Sequence, residues 1–212
     1  MGKGMFDVNT IVMFFAASVL LALAPGPDNL YVMTQSMLKG RTAGLMVTLG
    51  LCTGLIGHTS AVALGVAVLF QTSSLAFTIL KLTGAAYLVY LAWKAFSAPE
   101  STLNMQKSAE VSSWYLYRRG VIMNITNPKV SIFFLAFLPQ FSNPSKGSIP
   151  LQLALLGGMF ILSALVVFSA ISYLAGVIGR WFLKSKRAEK ILNRVAGIVF
   201  VMLAIKLALT SQ

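Results

Sequence analysis

From Leu151 to Ile178 the chain runs without one charged side chain. That exceeds the roughly 20 apolar residues that carry an α-helix across a bilayer. Five more apolar segments accompany it, so the expected spans are about Thr10–Met37, Ala43–Phe70, Leu75–Phe96, Gly120–Phe141, Leu151–Ile178 and Ile191–Leu209. Hydrocarbon offers peptide groups no water, so each span is expected as a helix that closes its own hydrogen bonds. The expected fold class is therefore an all-α integral membrane protein with six transmembrane helices. Composition agrees. The chain is 57% hydrophobic and 10% charged, with mean hydropathy +0.81, whereas a soluble domain carries about 25% charged residues. Its 212 residues hold these spans and short connections, with no room for a separate soluble domain. The first segment lacks the basic flank and cleavage pattern of a secretory signal, and is expected to be retained.

The net charge of +12 would suit a nucleic-acid binder, but in so apolar a chain it reads as the Lys and Arg excess of cytoplasmic loops. No nucleic-acid partner is expected, only membrane lipid and a small-molecule substrate. Lys39 and Arg41 lie between spans 1 and 2. Lys94, Lys107, Arg118 and Arg119 lie around the connection of spans 3 and 4. Arg180, Lys184, Lys186, Arg187, Lys190 and Arg194 lie between spans 5 and 6. The other connections offer only Lys81 and Lys146. The basic connections belong in the cytoplasm, which puts both termini outside, in the periplasm of a bacterial inner membrane. Cys52 is the single cysteine and His58 the single histidine. That excludes internal dithiol chemistry and argues against a transition-metal site. There is no P-loop and no GxGxxG, so ATP hydrolysis is not expected, and no cofactor is implied.

Two of the spans are interrupted. "PGPDN", residues 25–29, follows the apolar run Ile11–Ala24, which reaches only about 21 Å into a hydrocarbon core of about 30 Å. The break is therefore expected inside the membrane, where freed backbone groups must face protein or a water-filled cavity. Asp28 there carries an insertion cost of roughly 2.5–3.5 kcal/mol. These costs favour a cavity lined by Pro25, Gly26, Pro27, Asp28 and Asn29. Span 4 is interrupted by "NITNPK", with Asn124, Asn127, Pro128 and Lys129. Asn127 suits an N-cap and Pro128 the first helical position. Pro27 and Asp28 can start a half-helix in the same way, and such ends attract anions. Lys129 reads either as a snorkelling lysine or as a cavity wall.

The halves also echo one another. "KLTGAAYLVYL" from Lys81 and "RVAGIVFVMLA" from Arg194 share basic, two residues, Gly, two residues, aromatic. Two three-helix repeats, 1–96 and 118–212, joined by a polar cytoplasmic linker 97–117, would have to insert with opposite topology. This is the inverted-repeat plan of secondary transporters, with helices 1 and 4 broken. In span 2, Gly50, Gly54 and Gly57 mark a close-packing face. His58 follows that face and reads first as a hydrogen-bonded packing residue, second as a proton relay. Ser60 and His58 are two apart on one helix and point away from each other, which disfavours an intramembrane hydrolase. Lys81 and Lys206 read as snorkelling residues near span ends.

Taken together, "LALAPGPDNLYVM", "GLCTGLIGH", "KLTGAAYLVYLAWKAF" and "GVIMNITNPKVSIFFLAFLPQF" resemble the lysine exporter / homoserine and threonine resistance-type (LysE/RhtB) family. The resemblance runs from about residue 8 to 209. It implies a bacterial inner-membrane protein that exports amino acids or close derivatives in exchange for protons, forming a homodimer in some members. The family's motif residues fall on Pro25, Gly26, Pro27, Asn29, Asn127, Pro128 and Lys129. Asp28 occupies a position within the first motif where members vary more. A metal or small-ion exporter of the wider superfamily is the rival reading, and the scarcity of His, Cys and acids in the spans argues against it.

Overall fold

The structure, a computed structural model, describes residues 5–72, 74–97, 111–184 and 186–209. Helix α1 (Val8–Leu23) is followed by α2 (Pro27–Lys39), α3 (Arg41–Thr72) and α4 (Ser74–Phe96). Then come α5 (Ser113–Ile125), a short α6 (Pro128–Ile132), α7 (Ile149–Lys184) and α8 (Lys186–Leu209). Among the described residues Arg41–Gly65 and Ile149–Ala175 are each long and apolar enough to cross a membrane. The pairs Val8–Leu23 with Pro27–Lys39 and Ser113–Ile125 with Pro128–Phe141 qualify as composite spans, bent by 59° and 49° at their breaks. Two spans, or four with the bent pairs, are thus carried by length and composition, where the sequence led us to expect six.

Three boundaries differ from expectation. The linker was placed at 97–117, but α5 begins at Ser113, where Ser112 caps it by accepting a hydrogen bond from Tyr115 N at 3.2 Å; residues 98–110 lie outside the described residues. "RWFLKSKRAEK" was expected as a loop. Helix α7 instead continues to Lys184 and α8 starts at Lys186, because Lys, Arg, Ala and Glu are good helix formers as well as interfacial residues. After α6 the chain widens into a π-helical turn, Phe133–Phe137, and then tightens to a 3₁₀ turn, Leu138–Phe141.

Close backbone approach holds the two long helices and the breaks together. Helix α3 packs on α5 and on α7, and α4 packs on α8. A Cβ at Gly50 would collide with the Tyr117 carbonyl, and one at Gly120 would lie 2.5 Å from Val47 O. Gly54 admits Asn124, whose Oδ1 would be 2.7 Å from an added Cβ. Gly57, expected on the same face, has nothing within 4 Å. By that height α5 has ended at Ile125 and the chain has turned away. Buried hydroxyls avoid stranding in the apolar interior by donating to the carbonyl four residues back, as Ser18 does to Phe14 O (2.7 Å) and Thr48 to Gly44 O (2.9 Å). The outward faces remain apolar, with Val12, Phe15, Leu64, Val89, Leu162 and Val166 exposed. Such a surface suits lipid and not water.

Candidate functional site

The first break begins where α1 ends. Pro27 has no N–H and opens α2 at its first position, after Gly26, whose extended backbone offers no side-chain cap. The last carbonyls of α1 therefore need outside donors. Ala24 N donates to Leu20 O at 2.9 Å. The Asn29 amide donates to Ala22 O at 2.6 Å. The remaining partners come from the other half of the chain: Lys129 Nζ donates to Ala24 O at 3.0 Å and to Leu21 O at 3.4 Å. Glycine at position 26 is a matter of space. Its φ of −172° is open to any residue, but a Cβ there would sit 3.1 Å from Lys129 Nζ.

The second break closes itself more fully. Asn127 Oδ1 accepts from Lys129 N at 3.0 Å and so caps α6, which opens with Pro128. Thr126 Oγ1 donates back to Ile122 O at 2.8 Å, and Asn127 N to Asn124 O at 3.0 Å. His58 Nε2 lies 3.2 Å from the same Asn124 carbonyl. A carbonyl can only accept, so the bond requires the tautomer with the proton on Nε2. The imidazole packs against Phe134, ring centroids 5.6 Å apart.

Between the breaks sit two charges in apolar surroundings. Asp28 and Lys129 are only 2% and 8% exposed. The Asp28 carboxylate is flanked by Lys129, the amides of Asn127 and Asn124, and His58. Its Oδ1 makes no hydrogen bond, nor do Asn124 Oδ1 and Asn127 Nδ2. Asp28 and Asn124 border a pocket of about 10 Å³ that also touches Lys129 and Phe160, at the limit for a single water. A larger cavity of about 750 Å³ lies on the other side of Lys129. Pro25, Gly26 and Pro27 form one edge of it, and Asn127, Pro128 and Lys129 another. All of the sequence-selected residues thus gather at the two breaks. Pro25, Gly26, Pro27, Asn127, Pro128 and Lys129 face the large cavity. Asp28 and Asn124 lie behind, Asn29 holds α1, and His58 touches the second break from α3.

The sequence reading missed the opposite wall, made by Tyr87, Tyr90 and Lys94 of α4 with Asn193 and Phe200 of α8. One signal could have found it. Tyr87 and Phe200 are the aromatic ends of the two echoed motifs, and both line this cavity. Lys206, expected to snorkel near a span end, places Nζ 4.0 Å from the centroid of the Phe141 ring. It lines a separate cavity of about 260 Å³ at the end where Lys146 pairs with Asp7.

The family model described as LysE type translocator matches residues 19–211. A homoserine/homoserine lactone efflux protein of Salmonella typhimurium is 35% identical, the match covering 92% of this chain and 94% of the relative. The corresponding protein of Salmonella typhi is 34% identical over the same shares. An uncharacterized membrane protein of Bacillus subtilis, YrhP, is 30% identical over 96% of this chain and all of its own. No solved structure matches. A family match over nearly the whole chain, on a set of apolar helices that suits a multi-pass membrane protein, leads to one statement: the chain belongs to the LysE type translocator family, a family of membrane transporters.

Proposed function

We propose that the protein is a secondary transporter that exports amino acids or close derivatives of the homoserine class from the cytoplasm, exchanging them for protons by alternating access. The observation that carries the reading is the convergence of both helix breaks on one cavity, with Lys129 of one half bonded to the α1 carbonyls of the other. The relatives named for homoserine and homoserine lactone efflux supply the substrate class. Lys129 takes the substrate carboxylate. Helix α6 has five residues, too few for a strong macrodipole, so the ammonium group carries this role. Asp28 takes the coupled proton, and Asn29 and Asn127 hold the two breaks in shape. His58 holds the Asn124 carbonyl.

In this reading α4 and α8 also cross the inner membrane, giving six spans in two inverted repeats with both termini in the periplasm. The packing supports it: α3 meets α7, α4 meets α8, and each broken segment leans on the other half's long helix, α1 on α7 and α5 on α3. That is the pattern a two-fold exchange of halves produces. The test is export of homoserine measured in everted vesicles under an imposed pH gradient. Accumulation that collapses with the gradient is expected. Absence of transport for a full panel of amino acids would sink the reading, and a cytoplasmic C-terminal reporter would sink the topology.

A further inference from the structure

Among the described residues the cavity between the breaks is lined by charge of one sign only. Among the described residues its lining holds Lys94 and Lys129 and no carboxylate. Asp28 lines instead the small pocket behind Lys129. Lys129 lines both spaces, with its Nζ held on Ala24 O and Leu21 O. The facing wall is a stripe. Tyr87, Tyr90, Leu91 and Lys94 recur at i, i+3, i+4 and i+7, one face of α4, and all four line the cavity together with Phe200. The stripe ends in a cation, with Lys94 Nζ 5.7 Å from the centroid of the Tyr90 ring.

Building on the export reading above, we propose that this α4–α8 face is the selectivity half of the site. Lys94 and Lys129 accept the substrate's single carboxylate. The aromatic wall accepts an apolar or weakly polar side chain, and the two ammonium groups turn away dibasic amino acids. A zwitterion with an uncharged side chain brings one negative group to two positive ones and apolar surface to Tyr87 and Phe200. A dibasic substrate brings a second ammonium into a space whose described lining offers no acid to receive it, and like charges at short range repel. Lys94 is the discriminating residue, because Lys129 also serves the break itself.

Counterflow of labelled leucine in vesicles reconstituted with the full chain tests this, using unlabelled leucine, homoserine, lysine and ornithine as competitors. Leucine and homoserine are expected to compete at least about tenfold better than lysine and ornithine. In Lys94→Glu that ratio is expected to fall about tenfold as the dibasic competitors gain, and in Lys94→Gln by a smaller step in the same direction. Tyr87→Ala should weaken leucine more than homoserine. Each ratio is taken within one variant, so the amount of inserted protein cancels, and Lys94→Gln carries the test if the glutamate variant does not insert. Equal competition by lysine and leucine in the wild type, or an unchanged ratio in both Lys94 variants, overturns the proposal. Failure of leucine and homoserine alike to support counterflow overturns the export reading instead.

Discussion

The two breaks face the same problem and solve it differently. At the second, the chain uses its own residues: Asn127 caps α6 and Thr126 returns to Ile122. At the first, only Asn29 is local, and two carbonyls of α1 depend on Lys129, more than a hundred positions away. The second break thus stands largely by itself and lends its lysine to the first. Asp28 completes the asymmetry. It follows Pro27 as Lys129 follows Pro128, so equivalent places in the echo carry opposite charge. In the export reading proposed above Lys129 takes the substrate carboxylate, so its bond between the halves is one that substrate would compete for. In that reading a carboxylate in the cavity would draw the ammonium from Ala24 O and loosen α1 from α6.

The comparison breaks most visibly at Lys129. Lys129→Met keeps most of the volume and removes the donor, leaving two buried carbonyls unmet at about 1–3 kcal/mol each. Export is expected to fall at least about a hundredfold, and the detergent-solubilised protein should unfold at lower temperature. Transport assays at matched protein levels and a thermal melt check both. Near wild-type transport would remove the lysine from the site and the inter-half bond from the mechanism.

Asp28→Asn sharpens the other side of the asymmetry. It preserves shape but cannot gain and lose a proton at this position. Gradient-driven accumulation is expected to be lost while exchange of labelled for unlabelled homoserine persists within a few-fold. If gradient-driven export continues, the proton does not pass through Asp28.

How much of this was legible in the sequence follows from where the physics is local. Both breaks were visible because Pro, Gly and a charge inside an apolar run violate the requirement that a membrane-buried backbone satisfy itself. The family resemblance rested on the same residues, and the match over residues 19–211 agrees with it. The bond from Lys129 to Ala24 was not visible, because no local pattern encodes a contact across 105 positions. Tyr87, Tyr90 and Lys94 were hidden for another reason. Aromatics and lysines near a span end also describe the interfacial belt, and only the packing of α4 against α8 turns that stripe toward the breaks. Gly57 misled because helical periodicity continues along α3 after α5, its neighbour, has stopped.

A milder perturbation of the first break comes from its glycine. Gly26→Ala places a methyl 3.1 Å from Lys129 Nζ, tight enough that the ammonium must shift by a few tenths of an ångström. The backbone there accepts alanine without strain, so the effect should fall on the lysine. About a tenfold loss of export with normal insertion is expected, since hydrogen bonds weaken steeply once distance and angle depart from their optimum. Unchanged export would mean that Lys129 is not held as closely as the first break requires.

The smallest expected effect lies at the second break, and it separates the two readings of His58. The imidazole donates to Asn124 O at 3.2 Å and packs on Phe134, which is sufficient for a structural role. Glutamine at this position can place an amide N–H near the same carbonyl but cannot titrate. If the histidine serves to hold the break, His58→Gln keeps export within about twofold with an unaltered pH profile, because the lost packing is partial and the donor is retained. His58→Leu removes the donor and should cost more. A glutamine variant that still exchanges substrate but no longer responds to a pH gradient would reverse the assignment. His58 and Asp28 would then carry the proton together, and the second break would share the coupling as well as lend its lysine.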